Sequence, residues 1–465
     1  MYSFDDLNKF IKAYDVRGLV GSELTPEFTF DLGRAFAHYL LEENEPRTIV
    51  IGEDMRPSSP TLASAFSEGV RSLGCDVIRI GLASTDMLYF ASGSKNLPGA
   101  MFTASHNPAK YNGIKMCKSG ARPIGEDTGL RHMKELLVKS IDAIDATLGN
   151  EFQENILKTY SNFLLSLLPE FSTPESISAS RHLKIVIDAG NGMGGYTVPE
   201  IFASLPFEIT PLYFELDGNF PNHEANPIDP ENLRDLQKTV LAQGADIGLA
   251  FDGDADRCFI VDENGALVSP SALTALIAKR ELIRHPGASI IYNLISSQAV
   301  PEIIRENGGT PIRSRVGHSY IKATMAQTGA VFGGEHSGHF YFADFWKADS
   351  GALASLYALA ELSRTDKTLS EVLAPYNRYW ASGEINRTVD SPKEQIEKIR
   401  SHYQALIAHG EAFQLDDLDG LTVTSEEYWF NLRPSNTEPL LRLNVEAKNE
   451  ALMQQVRDEV IGLLG

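Results

Sequence analysis

The sequence predicts an α/β protein: three topologically related mixed-sheet α/β domains, followed by a C-terminal α+β domain. Three observations carry this expectation. A strand–helix–strand phrase occurs three times, the chain ends in a run of strands closed by one helix, and 465 residues exceed what a single hydrophobic core usually serves.

The first phrase, RTIVIGEDMRPSSPTLASAFSEGVRSLGCDVIRIG (47–81), reads as an apolar strand, a loop, an amphipathic helix and a second strand. LKIVIDAGNGMGGYTVPEIFASLPFEITPLY (183–213) and ASIIYNLISSQAVPEIIRENGGTPIRSRVG (288–317) repeat it. Strand, helix and strand in series imply a right-handed crossover and parallel pairing. Copies about 105 to 135 residues apart are too long for a solenoid. At the end, DGLTVTS, EYWFNLR and LLRLNVEA read as neighbouring strands and EALMQQVRDEVIGLL as an amphipathic helix. The breaks between periodic segments divide the chain into 1–150, 151–262, 263–380 and 381–465.

Net charge is −21, from 62 acidic and 41 basic residues. That balance argues against broad binding to nucleic acid or anionic membranes, but leaves room for a locally basic cleft. The start, MYSFDDLNKF, lacks the basic and apolar regions of a secretory signal, and no apolar run is long enough to span a bilayer. Three scattered cysteines, Cys75, Cys117 and Cys258, fit a reducing compartment and form no zinc-type cluster. A cytoplasmic protein is expected.

Residues 251–257, FDGDADR, set Asp252, Asp254 and Asp256 two apart. Two carboxylates about 5 Å apart repel by roughly 3 kcal/mol at an effective dielectric near 20. Strands are predicted on both sides, in ADIGLA and CFIVDENG. In an extended loop the three carboxylates would share one face, with Gly253 and Ala255 on the other. Three hard oxygen ligands suit Mg²⁺ or Ca²⁺. An EF-hand is opposed by Arg257 at the sixth position, where the turn needs glycine, and by strands where helices are required. A solvated acidic turn is the plainer alternative.

TASHNP (103–108) follows the apolar PGAMF, and the turn exposes the Ser105 hydroxyl; Lys115 follows in YNGIK. This reads as a capped turn, a hydrolase site, or a phosphoserine beside the aspartates. The hydrolase reading lacks the G-x-S-x-G elbow. A phosphoserine would bring about −1.5 to −2 charges to the metal. RPSNTEP (433–439) sets Arg433 beside Ser435, Asn436 and Thr437, a set able to grip phosphate or form a structural turn. AYDVRG puts Arg17 after a short N-terminal strand, where an ion pair is the commoner role. In GGEHSGHF (333–340), alternation puts Glu335, Ser337 and His339 on one side, suiting sugar hydroxyls or merely a flexible loop. DAGNGMGG (188–195) matches the dinucleotide fingerprint. Asp188 just before its first glycine and Pro199 in the following helix favour a tight strand–helix turn.

AYDVRG, TASHNP with YNGIK, FDGDADR, GGEHSGH and RPSNTEP, in this order, resemble the α-D-phosphohexomutase superfamily, in particular its bacterial phosphomannomutase/phosphoglucomutase branch. The resemblance spans essentially the whole chain. It implies four domains around a central cleft, each giving one loop: phosphoserine (1–150), metal (151–262), sugar (263–380) and phosphate (381–465). It implies a mutase interconverting hexose 6-phosphate and hexose 1-phosphate through a hexose 1,6-bisphosphate, which also serves as activator. Ser105 would carry the phosphoryl group, and would bind one Mg²⁺ with Asp252, Asp254 and Asp256. Arg17, His106, Lys115, Arg257 and His339 would surround the transferring group. Glu335 and Ser337 would contact the sugar, and Arg433, Ser435, Asn436 and Thr437 the other phosphate. A phosphosugar is the implied partner, with no nucleic acid or membrane and a monomer or weak homodimer.

Some positions depart from the family pattern. Ala255 stands where glycine is common, a methyl that an extended loop should tolerate. Ile295 stands where some mutases carry a lysine, which removes one expected substrate contact. His318 is expected to line the cleft. His336 and Thr103 favour mannose and glucose phosphates over glucosamine phosphate, since phosphoglucosamine mutases typically carry Gln and a small residue there. A calcium- or sugar-binding protein without turnover is the rival from another class.

Overall fold

A computed structural model describes residues 2–139, 141, 147–434 and 440–464, the side chains at 318 and 319 aside. The chain divides into two compact units, residues 1–268 with 337–372, and residues 269–336 with 373–465.

In the first unit, one sheet runs Val16–Leu19, Tyr111–Lys118, Gly99–Phe102, Thr48–Glu53, Asp76–Leu82, Glu151–Gln153, with Arg122–Pro123 on the second strand. The first predicted phrase is here: Thr48–Glu53 pairs parallel with Asp76–Leu82 through the helix Ser59–Arg71. Antiparallel pairing of Tyr111–Lys118 with Gly99–Phe102 and Val16–Leu19 makes the sheet mixed. Phe36, Phe66, Phe102 and Leu32 fill the core beneath it. Removing such side chains from water is the main favourable term of the fold.

The second sheet runs Cys258–Asp262, Ile247–Phe251, Leu183–Asp188, Phe207–Leu212. Its last two strands pair parallel, as the second phrase requires, while the first two form an antiparallel hairpin joined by the aspartate loop. The hairpin Phe340–Phe342 with Ala348–Asp349 and the helix Gly351–Leu362 also belong to this unit.

In the second unit, Ser289–Asn293 pairs parallel with Thr310–Ser314 and Phe332–Gly334, which is the third phrase. The C-terminal sheet is antiparallel, in the order Trp380–Thr388, Leu440–Ala447, Tyr428–Pro434, Leu421–Thr424, Gln414–Asp416. The helices Pro392–Ala408 and Glu450–Leu464 bury Tyr403, Ile399, Val456 and Val460 against it.

Three local expectations are corrected. Arg17 lies within the strand Val16–Leu19 rather than after a strand, and the helix Phe4–Phe10 precedes it. Residues 335–339 form a turn between short strands, with Gly338 at φ +87°, so period-two alternation does not set their directions. The aspartate loop is likewise a turn: the Ala255 amide donates to the Asp252 carbonyl at 3.0 Å, and Ala255 has φ +60°. The methyl there occupies the left-handed region, which costs an L-residue roughly 1–2 kcal/mol.

Candidate active site

Turn and hairpin together explain how the three aspartates converge. Asp252, Asp254 and Asp256 are buried, and one carboxylate oxygen from each lies within 4.8 Å of the others. The strand Tyr111–Lys118 delivers Lys115, whose Nζ donates to Asp254 at 2.7 Å and Asp256 at 2.6 Å. Arg257 donates from Nε to Asp252 at 2.9 Å, and from its backbone amide at 3.1 Å. Two cations therefore face three carboxylates. Burial opposes the charge on Lys115, but Asp254 and Asp256 outweigh it and hold the ammonium well above its ordinary pKa. Burial raises the Asp252 carboxyl to about 7, with Arg257 opposing and Asp256 and Asp254 adding to the rise.

Ser105 lies in the turn that follows the strand Gly99–Phe102, closed by the Asn107 amide donating to the Ala104 carbonyl at 3.0 Å. It is buried rather than exposed as the sequence suggests, because its Oγ donates to Asp252 Oδ2 at 2.8 Å. Its backbone sits at φ +51°. His106 Nδ1 lies 3.2 Å from Ser105 Oγ and accepts from Arg257 Nη2 at 2.6 Å. Burial, then Arg257 and Arg17, depress the His106 pKa strongly, so its ring is neutral. Arg17 donates to Asn107 Oδ1 at 2.8 Å and pairs with Asp15 at 2.7 Å, flanking the serine turn. His339 Nδ1 lies 3.0 Å from Asp349 Oδ2 and 3.8 Å from Asp256 Oδ1. Burial works against its charge, but Asp256 and the Asp349 hydrogen bond prevail and raise its pKa. The first unit thus gathers Ser105, His106, Lys115, Asp252, Asp254, Asp256, Arg257 and His339, with Arg17 beside the serine turn.

The triad fits a hard divalent cation. Asp254 Oδ1 and Asp256 Oδ1 are buried with no hydrogen-bond partner, a costly state for a carboxylate oxygen that a metal ion would relieve. Among the described residues a second grouping, Asp256, His339 and Asp349, shares one of these carboxylates.

Sequence reasoning missed two supporting groups. Thr85 Oγ1 donates to Asp254 Oδ2 at 2.5 Å, and its amide to the Asp254 carbonyl at 3.0 Å. Asp349 orients His339. Thr85 lies 169 residues from Asp254 and Asp349 lies 10 from His339, and neither belongs to a motif read from the sequence. The glycine-rich turn also acquires a role: the Met193 amide donates to the Gly253 carbonyl at 2.9 Å, and a Cβ on Gly192 would lie 2.7 Å from that oxygen. The glycines let the backbone support the metal loop, and Asp188, at the mouth of the turn, pairs with His223 at 3.0 Å.

The second unit holds Glu335 and Arg433. Glu335 accepts from the Gly317 amide at 2.9 Å. Arg433 donates to Glu384 at 2.5 Å, while its Nε is buried with no partner. Ser337 opens the first unit's second segment and is half-buried. Ser435, Asn436, Thr437 and the His318 side chain lie outside the described residues.

The sequence matches the family models described as phosphoglucomutase/phosphomannomutase domain I (8–137), domain II (158–265), domain III (269–379) and C-terminal domain (384–463). A phosphomannomutase of Escherichia coli K12 is 38% identical over 459 residues, covering 97% of each chain. A protein of Xanthomonas campestris pv. campestris described as phosphohexose mutases is 37% identical over 455 residues, covering 97% of this chain and 98% of its own. The crystal structure of a phosphoglucomutase/phosphomannomutase family protein from Burkholderia thailandensis is 31% identical with a TM-score of 0.88, covering 100% of this chain and 98% of its own. Its four domains and these relatives show that the chain belongs to the phosphoglucomutase/phosphomannomutase family and is a phosphohexomutase, an isomerase.

Proposed function

We propose that the protein interconverts hexose 6-phosphate and hexose 1-phosphate, of mannose and also of glucose, through phospho-Ser105 and a hexose 1,6-bisphosphate. The observation that carries this is the Ser105 hydroxyl, 2.8 Å from Asp252 within a triad that keeps two buried carboxylate oxygens unpartnered. Mg²⁺ held by Asp252, Asp254, Asp256 and the seryl phosphate would neutralise charge on the transferring group. The sugar's free hydroxyl attacks phosphorus, the Ser105 Oγ–P bond breaks and the sugar O–P bond forms. The hydroxyl's proton passes to a neighbouring base. The bisphosphate then turns end over end, and Ser105 recovers the other phosphoryl group. Little covalent work falls to the protein beyond positioning and charge neutralisation.

In this reading Arg257, Lys115 and Arg17 present positive charge to the phosphoryl group, and His106 and His339 border it. Glu335 and Ser337 take sugar hydroxyls, and Arg433, Ser435, Asn436 and Thr437 the second phosphate. The domain division 1–150, 151–262, 263–380 and 381–465 assigns one such loop to each part. Among the described residues no helix is long and apolar enough to cross a membrane; we place the enzyme in the cytoplasm.

Ser105→Ala tests the reading. Intact-mass measurement should find one phosphate on the wild-type chain and none on the variant, and turnover should vanish while the fold persists. Undiminished turnover in Ser105→Ala would overturn it. A coupled assay comparing mannose 1-phosphate, glucose 1-phosphate and glucosamine 1-phosphate, with glucose 1,6-bisphosphate as activator, decides the sugar.

A further inference from the structure

The serine turn is strained at its reactive residue. Ser105 adopts φ +51°, a region an L-residue occupies only when its surroundings impose it. One side chain, in the loop of the first strand–helix–strand phrase and outside the five candidate site motifs, supplies that constraint. Arg56, in the loop after the strand Thr48–Glu53, has a fully buried guanidinium. Its Nη2 donates to the carbonyls of Ser105 at 2.9 Å and Asn107 at 2.6 Å. Its Nη1 donates to those of Pro108 at 3.1 Å and Tyr111 at 3.0 Å. Its Nε donates to Asp54 at 3.2 Å. A guanidinium has five N–H donors, and all five are engaged.

A buried arginine needs a counterion, and Asp54 supplies it. A simple ion pair does not explain the remaining four donors, which all reach backbone oxygens of one short segment, residues 105–111. The peptide unit is planar, so fixing a carbonyl fixes the direction of the N–H that follows it. The neighbourhood is closed on other sides. The Phe220 ring lies 5.1 Å from the guanidinium carbon, a Cβ on Gly218 would lie 2.7 Å from Arg56 Cα, and a Cβ on Gly253 would collide with the Ser105 carbonyl. The metal-loop backbone and Arg56 thus meet at the same Ser105 oxygen.

We infer that Arg56 is a positioning residue for phosphoryl transfer: its fork holds the carbonyls of residues 105–111 and so fixes Ser105 Oγ against the aspartate triad. The inference rests on Ser105 being the phosphorylated residue. Lysine keeps the charge but has three donors on one nitrogen and cannot reproduce a planar fork.

The test compares wild type, Arg56→Lys, Arg56→Met and Ser105→Ala. For each, kcat and KM are measured with glucose 1-phosphate, and Mn²⁺ affinity by electron paramagnetic resonance. The rate at which glucose 1,6-bisphosphate phosphorylates dephosphorylated enzyme is followed by intact mass. A reacting group displaced by about 1 Å can cost on the order of 100-fold, so kcat and the phosphorylation rate should both fall about 100-fold in the two Arg56 variants. KM and Mn²⁺ affinity should stay within about 3-fold of wild type, because all five Arg56 donors are already taken by protein oxygens. A merely structural role predicts a lower melting temperature with wild-type kcat and phosphorylation rate in the folded fraction, and that result overturns the inference. Should Arg56→Met fail to fold, Arg56→Lys decides. An active Ser105→Ala refutes the phosphoserine reading itself. An inactive Ser105→Ala alongside a fully active Arg56→Lys refutes only the role of Arg56.

Discussion

Gly253 sits where the metal loop meets the serine turn, and a Cβ there would collide with the Ser105 carbonyl. Either the turn or the loop must shift, so Gly253→Ala should lower kcat on the order of 100-fold, with a circular dichroism spectrum like that of wild type. Unchanged kcat would mean that this approach is not needed for chemistry. Asp86, next to Thr85, offers a pH test at the edge of the triad. Its buried carboxylate accepts from the Tyr160 hydroxyl and the Ser350 Oγ, each at 2.6 Å, and from Ser84. Burial raises its pKa from 3.8 to about 6, with the Asp256 charge adding to the rise, although these hydrogen bonds oppose it. A raised carboxyl pKa means that the folded state holds the proton more tightly. The stability it contributes is therefore present below pH 3.8 and lost as pH rises through about 6. Asp86→Asn cannot ionise, so its stability relative to wild type should improve by at least about 1 kcal/mol between pH 4 and 7, read from urea unfolding. Parallel pH curves for the two proteins would contradict the assignment. The three aspartates were legible in the sequence because they stand two apart, and Ser105 because its TASHNP turn resembles a family loop, whereas its approach to Asp252 spans 147 residues. Arg56, Thr85 and Asp349 were not, since their partners lie far away in sequence or carry no local pattern.

The strand–helix–strand phrases were legible because apolar strands and an amphipathic helix leave separate periodic signals, and all three recur as parallel pairs. Elsewhere the pattern was silent. Trp380–Thr388 alternates poorly, lies largely exposed and carries a register shift between Ala381 and Glu384, so no face stands out. The turn Glu335–His339 was misread because alternation was assumed to mean extension, while Gly338 bends the backbone. The dinucleotide-like spacing in DAGNGMGG has a different cause, close passage beside Gly253. A Cβ on Gly192 would lie 2.7 Å from the Gly253 carbonyl, tighter than carbon–oxygen contact allows. Gly192→Ala should therefore push the metal loop and weaken activation by Mg²⁺ roughly tenfold in a Mg²⁺ titration, a loss of about 1.4 kcal/mol. Calorimetry should show no NAD binding to either protein. Tight NAD binding to wild type would restore the fingerprint reading, and wild-type Mg²⁺ activation in Gly192→Ala would remove the glycine's role.

Four-part organisation followed from length and the repeated phrase, whereas the grouping of residues 337–372 with the first unit depends on long-range contacts that no local pattern announces. That grouping puts His339 and Asp349 in the unit that holds Ser105, Asp252, Asp254 and Asp256, so every candidate metal ligand belongs to the first unit. A ligand that binds only folded protein stabilises it by RT ln(1 + [L]/Kd), about 2.7 kcal/mol at a hundredfold excess over Kd. Applied to the first unit alone, that gain should move its urea midpoint upward by on the order of 1 M. The tryptophans distinguish the units. Trp346 is in the first, stacked on Phe163 at 5.2 Å, and Trp429 is in the second, donating to Glu446 at 2.9 Å. Single-tryptophan variants should show the Trp346 transition rising with Mg²⁺ and the Trp429 transition staying in place, and EDTA should abolish both the shift and turnover. A common shift at both reporters would mean that the units unfold as one. No shift at Trp346, or full turnover in metal-free buffer, would remove the metal from the aspartate triad.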